Sequence, residues 1–238
     1  MTGVVALLLL RGVLRGKRML GLGAVTAAPV LLAAVGASVS LHDPTSFVAG
    51  ILESLFLPTV AAFVALILAA GVLGDERDDG TILYLAATPL PRRTLVVGAF
   101  LAAWVAALAV LVPAAVLVIL AAGTVTFGGL LHVIVGTALT VAAYSAVFLF
   151  LSLATRRPVL FGVLYILIWE SVIAGFAPSA QRLSIASYGK TIVADALPDA
   201  DRANVPAWDP TASLVVLVVV VAAGIAASVW ALRRVELP

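Results

Sequence analysis

LVVGAFLAAWVAALAVLVPAAVLVILA, residues Leu95–Ala121, runs for twenty-seven residues without a charge. A helix rises about 1.5 Å per residue, so roughly 20 apolar residues cross the hydrocarbon core of a bilayer. The run does not alternate polar with apolar residues, as a barrel strand would. It reads as a membrane-spanning helix, which satisfies its own backbone hydrogen bonds where there is no water. Five more stretches read the same way: Leu20–Leu41, Phe47–Leu73, Leu130–Ala154, Val159–Phe176 and Thr211–Leu232. The expected fold is all-α and membrane-integral, with six transmembrane helices in a single domain over residues 1–238.

Composition agrees. Of the 238 residues, 63% are hydrophobic and 11% charged. A soluble domain has about 45–50% and about 25%. Mean hydropathy is +1.22. A net charge of +2 gives no reason to expect a nucleic-acid partner. With no cysteine in the chain, thiol catalysis, disulfides and cysteine-ligated metal are excluded.

The basic residues set the orientation. Eleven of the 14 lie on one side of the six runs: Arg11, Arg15, Lys17, Arg18, Arg77, Arg92, Arg93, Arg156, Arg157, Arg233 and Arg234. Arg182, Lys190 and Arg202 lie on the other. The richer side is cytoplasmic, which places both termini inside a multi-pass protein of the cell membrane. Near the N-terminus, Arg11, Arg15 and Arg18 share one helical face and Leu7, Leu10 and Leu14 another. That pattern describes an interfacial amphipathic helix; a basic flank of the first span is the alternative.

Catalytic patterns are scarce. His42 and His132 sit near the outer side without a cluster, and a metal site needs three or four ligands. Gly189-Lys190-Thr191 has the end of a phosphate-binding loop, but Ser184 stands where that loop needs its first glycine. The segment also lies on the outer side, away from cytosolic ATP. No catalytic residue, metal or cofactor is assigned to this chain.

Two polar segments remain. The outer one, 177–210, is long enough for a short helix around Ile185–Leu197. The cytoplasmic one runs from Gly74 to Arg93. In it Gly80 breaks the helix leaving the membrane, and Thr81 can cap a new short helix. Ile82, Leu83, Leu85 and Ala86 give that helix an apolar side, and Pro89 and Pro91 end it. It reads either as a docking element for another protein or as an inert linker.

The run Glu76-x-x-x-Gly80-Thr81, followed by Thr88-Pro89 and Arg92, resembles the signature of type-2 ABC transporter permeases. The layout of the whole chain is similar to that family, with one departure at Gly98-Ala99, where many relatives carry a lysine after the glycine. The resemblance implies a non-catalytic membrane subunit of an ATP-driven exporter. Glu76, Gly80, Thr81, Leu83, Leu85, Thr88, Pro89 and Arg92 would then form the coupling segment between spans two and three. The implied partners are two copies of an ABC ATPase subunit, which would bind ATP and Mg, and a second permease chain in the bilayer. The implied substrate is hydrophobic or amphipathic. An ATP-independent membrane scaffold that docks a cytosolic protein is the alternative function.

Acidic groups inside spans are costly and are functional candidates by default. Glu53 lies near the outer end of span two, where it could reach the headgroups. Glu170, beside Trp169, lies deeper in span five. These three residues are candidates for a substrate path or for span packing. Ser145, Tyr144 and Tyr165 are potential partners of Glu170.

Overall fold

The computed structural model describes residues 3, 6–10, 18–39, 43–78, 91–123, 125–174, 178–197, 200 and 205–234. These residues form helices and connecting turns, and no strand occurs among them. In chain order the helices are α1 (Arg18–Ser38), α2 (Pro44–Ile51), π1 (Leu52–Ala61), α3 (Ala62–Asp78), α4 (Arg92–Leu120), α5 (Phe127–Ala154), α6 (Pro158–Leu164), π2 (Tyr165–Ile173), α7 (Pro178–Gln181), α8 (Ile185–Val193) and α9 (Pro210–Arg234). A single 3₁₀ turn, Ala194–Ala196, follows α8.

Among the described residues, five helices are long and apolar enough to cross a membrane: Gly21–Ser38, Pro44–Val72, Arg92–Leu120, Phe127–Ala154 and Pro210–Leu232. The sixth expected span appears as a shorter apolar helix, Pro158–Ile173, made of α6 and π2. It begins one residue before the expected Val159, because Thr155 ends α5 in an extended conformation and Pro158 opens α6 at its first turn.

Two of these helices change pitch. In π1 the wide turn surrounds Pro58. Proline cannot donate to the preceding turn and its ring crowds a carbonyl there, so a wider local register relieves both defects. Pro113 has no such effect, and α4 stays α-helical from Arg92 to Leu120. In π2 the Ser171 hydroxyl donates to the Ile166 carbonyl five residues back, at 3.1 Å. Each π-helix carries one of the two acidic residues of the spans: Glu53 in π1 and Glu170 in π2.

Pro44–Val72 and Phe127–Ala154 are the most buried helices and form the centre. Two apolar clusters are stacked along the bundle. One gathers Val48, Phe56, Leu57, Leu111, Ile119 and Val133 toward the Asp43 end. The other gathers Leu66, Val96, Phe100, Phe148, Leu149 and Ile166 toward the Arg92 end. Glycines permit the closest approaches. A Cβ on Gly224 of α9 would meet Ala146 of α5 at 2.9 Å, and one on Gly162 would collide with Leu66. Small hydroxyls within the spans bond back to their own helix, as Thr140 does to Gly136 O at 2.7 Å and Ser228 to Gly224 O at 2.7 Å. These two therefore add no unmet polar group to the apolar interior, whereas the Thr137 and Ser145 hydroxyls are buried without a bond.

The short helix expected around Ile185–Leu197 is present as α8 and its 3₁₀ turn. Only Tyr188 and Lys190 among its nine residues escape full burial. Although it belongs to a connecting segment, α8 is an interior element.

Candidate functional site

The site is built from the start of α8. Ser184 is its N-cap, and the Ser184 hydroxyl accepts the Ser187 backbone N–H at 3.1 Å. It also accepts the Ser187 hydroxyl at 3.0 Å. With both acceptor positions used, Ser184 Oγ directs its own proton to Glu170 Oε2. Glu170 Oε1 accepts the Ile185 backbone N–H at 3.0 Å and the Tyr165 phenol at 2.9 Å. Three donors thus converge on one carboxylate. One of them is a free N–H of a helix's first turn, where negative charge is favoured by the helix dipole. Glu170 itself is only 5% exposed.

The partners of Glu170 were partly anticipated. Tyr165 is a direct donor. Tyr144 shares the surroundings of Glu170 and the Ala186 backbone, yet its buried hydroxyl makes no hydrogen bond. Ser145 is buried without a bond as well. Trp169 makes its bond beside the carboxylate's donors rather than with the carboxylate: its indole N–H reaches Leu183 O, one residue before Ser184, at 3.4 Å.

Lys190 lies midway along α8 and is the basic member of the site. Burial pushes its ammonium below the usual lysine range, and the negative charges of Glu53 and Glu170 oppose that shift. Glu53 is 3% exposed, so it does not reach the headgroups as an outer-end residue could. The reason is local: α2 and π1 carry it into a crevice lined also by Ala49, Leu52, Val193, Ala194, Leu197 and Ala200. The free space there is about 10 Å³, room for one water. Two acids and one lysine, from π1, π2 and α8, therefore share one buried region. A buried charge requires such company.

The α5 side of the site is close-packed. A Cβ on Gly189 would collide with Thr140, and one on Gly136 would meet Val193 at 2.6 Å and Ile192 Cβ at 3.4 Å. A Cβ on Gly129 would meet Ala196 O at 2.6 Å. α8 thus rests against backbone, which fixes its depth as firmly as the polar bonds do.

Of the expected coupling residues, Gly80, Thr81, Leu83, Leu85, Thr88 and Pro89 lie outside the described residues. Glu76 lies in the last turn of α3. Arg92 is described: it opens α4, and its Nη1 donates to Leu232 O near the end of α9, at 3.2 Å. The expected N-terminal amphipathic helix also falls largely outside the described residues, although 6–10 are helical and Leu7 and Leu8 are exposed.

Reading the residues alone missed Lys190 and Ser184 as members of the site. A signal was present. Ser184-x-x-Ser187 ahead of an apolar run is a helix start, and a buried helix start needs acceptors.

Long apolar helices enclosing a buried charged cluster define a multi-pass integral membrane protein. Comparison with known families narrows the class. The chain belongs to the ABC-2 family of transporter proteins, which it matches over residues 26–237. It is a transmembrane permease of the ABC transporter type. No individual curated protein matches it.

Proposed function

We propose that this chain is the membrane subunit of an ATP-driven exporter for a hydrophobic or amphipathic substrate. ATP and Mg are bound by a separate ABC ATPase, present in two copies, and two permease chains form the path. Six helices cross the membrane, Pro158–Ile173 included, and both termini face the cytoplasm. The family match supports the transporter class. The observation that carries the coupling is the bond from Arg92 to Leu232 O. Arg92 stands where the Gly74–Arg93 segment enters span three, and Leu232 is near the end of the last span. A push on that segment therefore reaches two membrane helices at once.

The test is co-purification with the ATPase subunit and MgATP hydrolysis by the reconstituted pair. Leu83→Asp and Leu85→Asp place a charge on the apolar side of the docking segment, and Gly80→Val restricts its turn. Each should insert normally and lose the ATPase or its coupled hydrolysis. Normal binding and hydrolysis in all three would sink the coupling reading. A search that returns no ATPase partner at all would favour the scaffold.

A further inference from the structure

The fifth membrane helix touches the bundle along a narrow line. Its buried residues are Gly162, Ile166, Glu170 and Ala174, four residues apart. Phe161, Leu164, Leu167, Ile168 and Val172 are exposed. At its Arg92 end the helix is tied to α5 by a three-residue turn, Thr155–Arg157. Toward the Asp43 end the polar bonds holding it are those that meet at Glu170 and a longer one, 3.4 Å, from the Trp169 indole to Leu183 O just before α8. One of them, from Tyr165, stays within the helix itself, so the grip on α8 is made by Ser184 and Ile185. Behind that grip lie the unbonded Tyr144 hydroxyl and the Lys190–Glu53 region.

We propose that Glu170 is a releasable clasp, the positioning residue that holds the outer end of the fifth helix to α8, and that it opens during transport to admit the polar head of an amphipathic substrate. The inference rests on the exporter reading above. Three features favour release at this point. The short turn at the opposite end makes a pivot, so separation is greatest at the Glu170 end. α8 stays behind because Gly136 and Gly189 seat it against α5. The groups uncovered are unusually polar for a bilayer interior: a hydroxyl without a partner, a lysine and a second carboxylate. A headgroup with both donors and acceptors can bond the Tyr144 hydroxyl and sit beside the two charges, whereas a purely apolar molecule would leave that hydroxyl unbonded.

The chain has no cysteine, so a single reporter is clean. Ser187→Cys places a thiol directly behind the clasp, at a residue only 4% exposed. Its labelling by a membrane-impermeant thiol reagent is followed in four states: at rest, with Glu170→Ala, with Glu170→Gln, and with the partner ATPase and MgATP. Ala106→Cys, in the apolar core, reports general unfolding. Labelling should be slow at rest and about tenfold faster with Glu170→Ala. Glu170→Gln keeps an acceptor for Ile185 and should restore slow labelling. MgATP turnover should speed labelling with Glu170 intact, while Ala106→Cys stays protected throughout. Equal labelling of the resting protein and Glu170→Ala overturns the clasp, and so does acceleration that Ala106→Cys shares. ATP hydrolysis that leaves Ser187→Cys as slow as at rest overturns the release while leaving the exporter reading intact. The Glu170 variants need no ATPase, so failure to find that subunit would count against the exporter reading alone.

Discussion

Glu170 Oε1 lies 3.0 Å from the Ile185 backbone nitrogen and accepts its hydrogen, so a carboxylate of π2 caps α8. The bond joins the apolar helix Pro158–Ile173 to a connecting segment, and it is buried. It also fixes which variants of Glu170 should matter.

Glu170→Ala removes the acceptor and strands three donors: Ser184 Oγ, Tyr165 Oη and Ile185 N–H. Two of the three belong to buried residues. The expected loss is about 2–4 kcal/mol, since hydrogen bonds to charged groups contribute roughly 1.5–3 and orphaned buried donors add to the cost. Glu170→Gln should lose less than half of that, and Glu170→Lys should be the worst of the three because it sets a positive charge against a helix N-terminus. Thermal unfolding in detergent would rank them; equal midpoints would make Glu170 a bystander.

Gly189 is required by contact rather than by backbone conformation. Gly189→Ala drives a Cβ into Thr140 and should cost about 1–3 kcal/mol, the usual range for overpacking. Thr140→Ala alone should be mild, because the Thr140 hydroxyl only bonds back to Gly136 O on its own helix. The pair Gly189→Ala and Thr140→Ala should recover much of the loss. Additive damage in a double-mutant cycle would show that the two residues do not press on each other.

The caps at the Asp43 end are acid-sensitive. Hydrogen bonds from the Ser46 and Thr45 side chains hold the Asp43 carboxyl down at about 2, below the ordinary aspartate value of 3.8. The bond from Thr211 lowers Asp209 in the same direction. A value depressed on folding means that the ionised cap stabilises the protein above the unfolded value, and that this contribution fades as pH falls toward the folded one. The unfolding midpoint should therefore drop between pH about 4 and about 2, and Asp43→Asn should flatten part of that slope. A variant with an unchanged acid profile would remove Asp43 from the account.

The apolar runs were readable because length and hydropathy suffice for a span: Leu95–Ala121 became α4 with little change. Pro158–Ile173 begins where the Thr155–Arg157 turn follows α5, a boundary that Pro158 marks in the sequence. Glu170 was legible as a buried acid with Tyr165 in reach. Its main donor, Ile185 N–H, was not, because a backbone group carries no residue identity. Glu53 read as a headgroup neighbour because sequence gives its depth along the helix but not its facing. Lys190 read only as one of the three basic residues on the sparser side, because nothing in its neighbours shows that α8 packs into the bundle. In both cases the missing quantity was the packing of α8 against α5, which depends on Gly136 and Gly189 meeting across distant parts of the chain.

Arg92 gives the prediction that separates docking from transmission. Its guanidinium is exposed and reaches Leu232 O at 3.2 Å. A cation at a helix C-terminus contributes only about 0.3–1 kcal/mol at an exposed site. Arg92→Gln should therefore leave the unfolding midpoint almost unchanged, and it leaves the apolar side of Leu83 and Leu85 intact. ATPase binding should persist. The link between the entry of α4 and the end of α9 should not, so MgATP hydrolysis in the complex should lose its dependence on substrate. Arg92→Lys keeps the charge but shortens the reach and loses the planar fork, so it should fall between wild type and Arg92→Gln. Co-purification and ATPase rates of the three proteins supply the comparison. Loss of ATPase binding in Arg92→Gln would place Arg92 in the docking surface instead, and normal coupling would leave the Leu232 bond without a part in transmission.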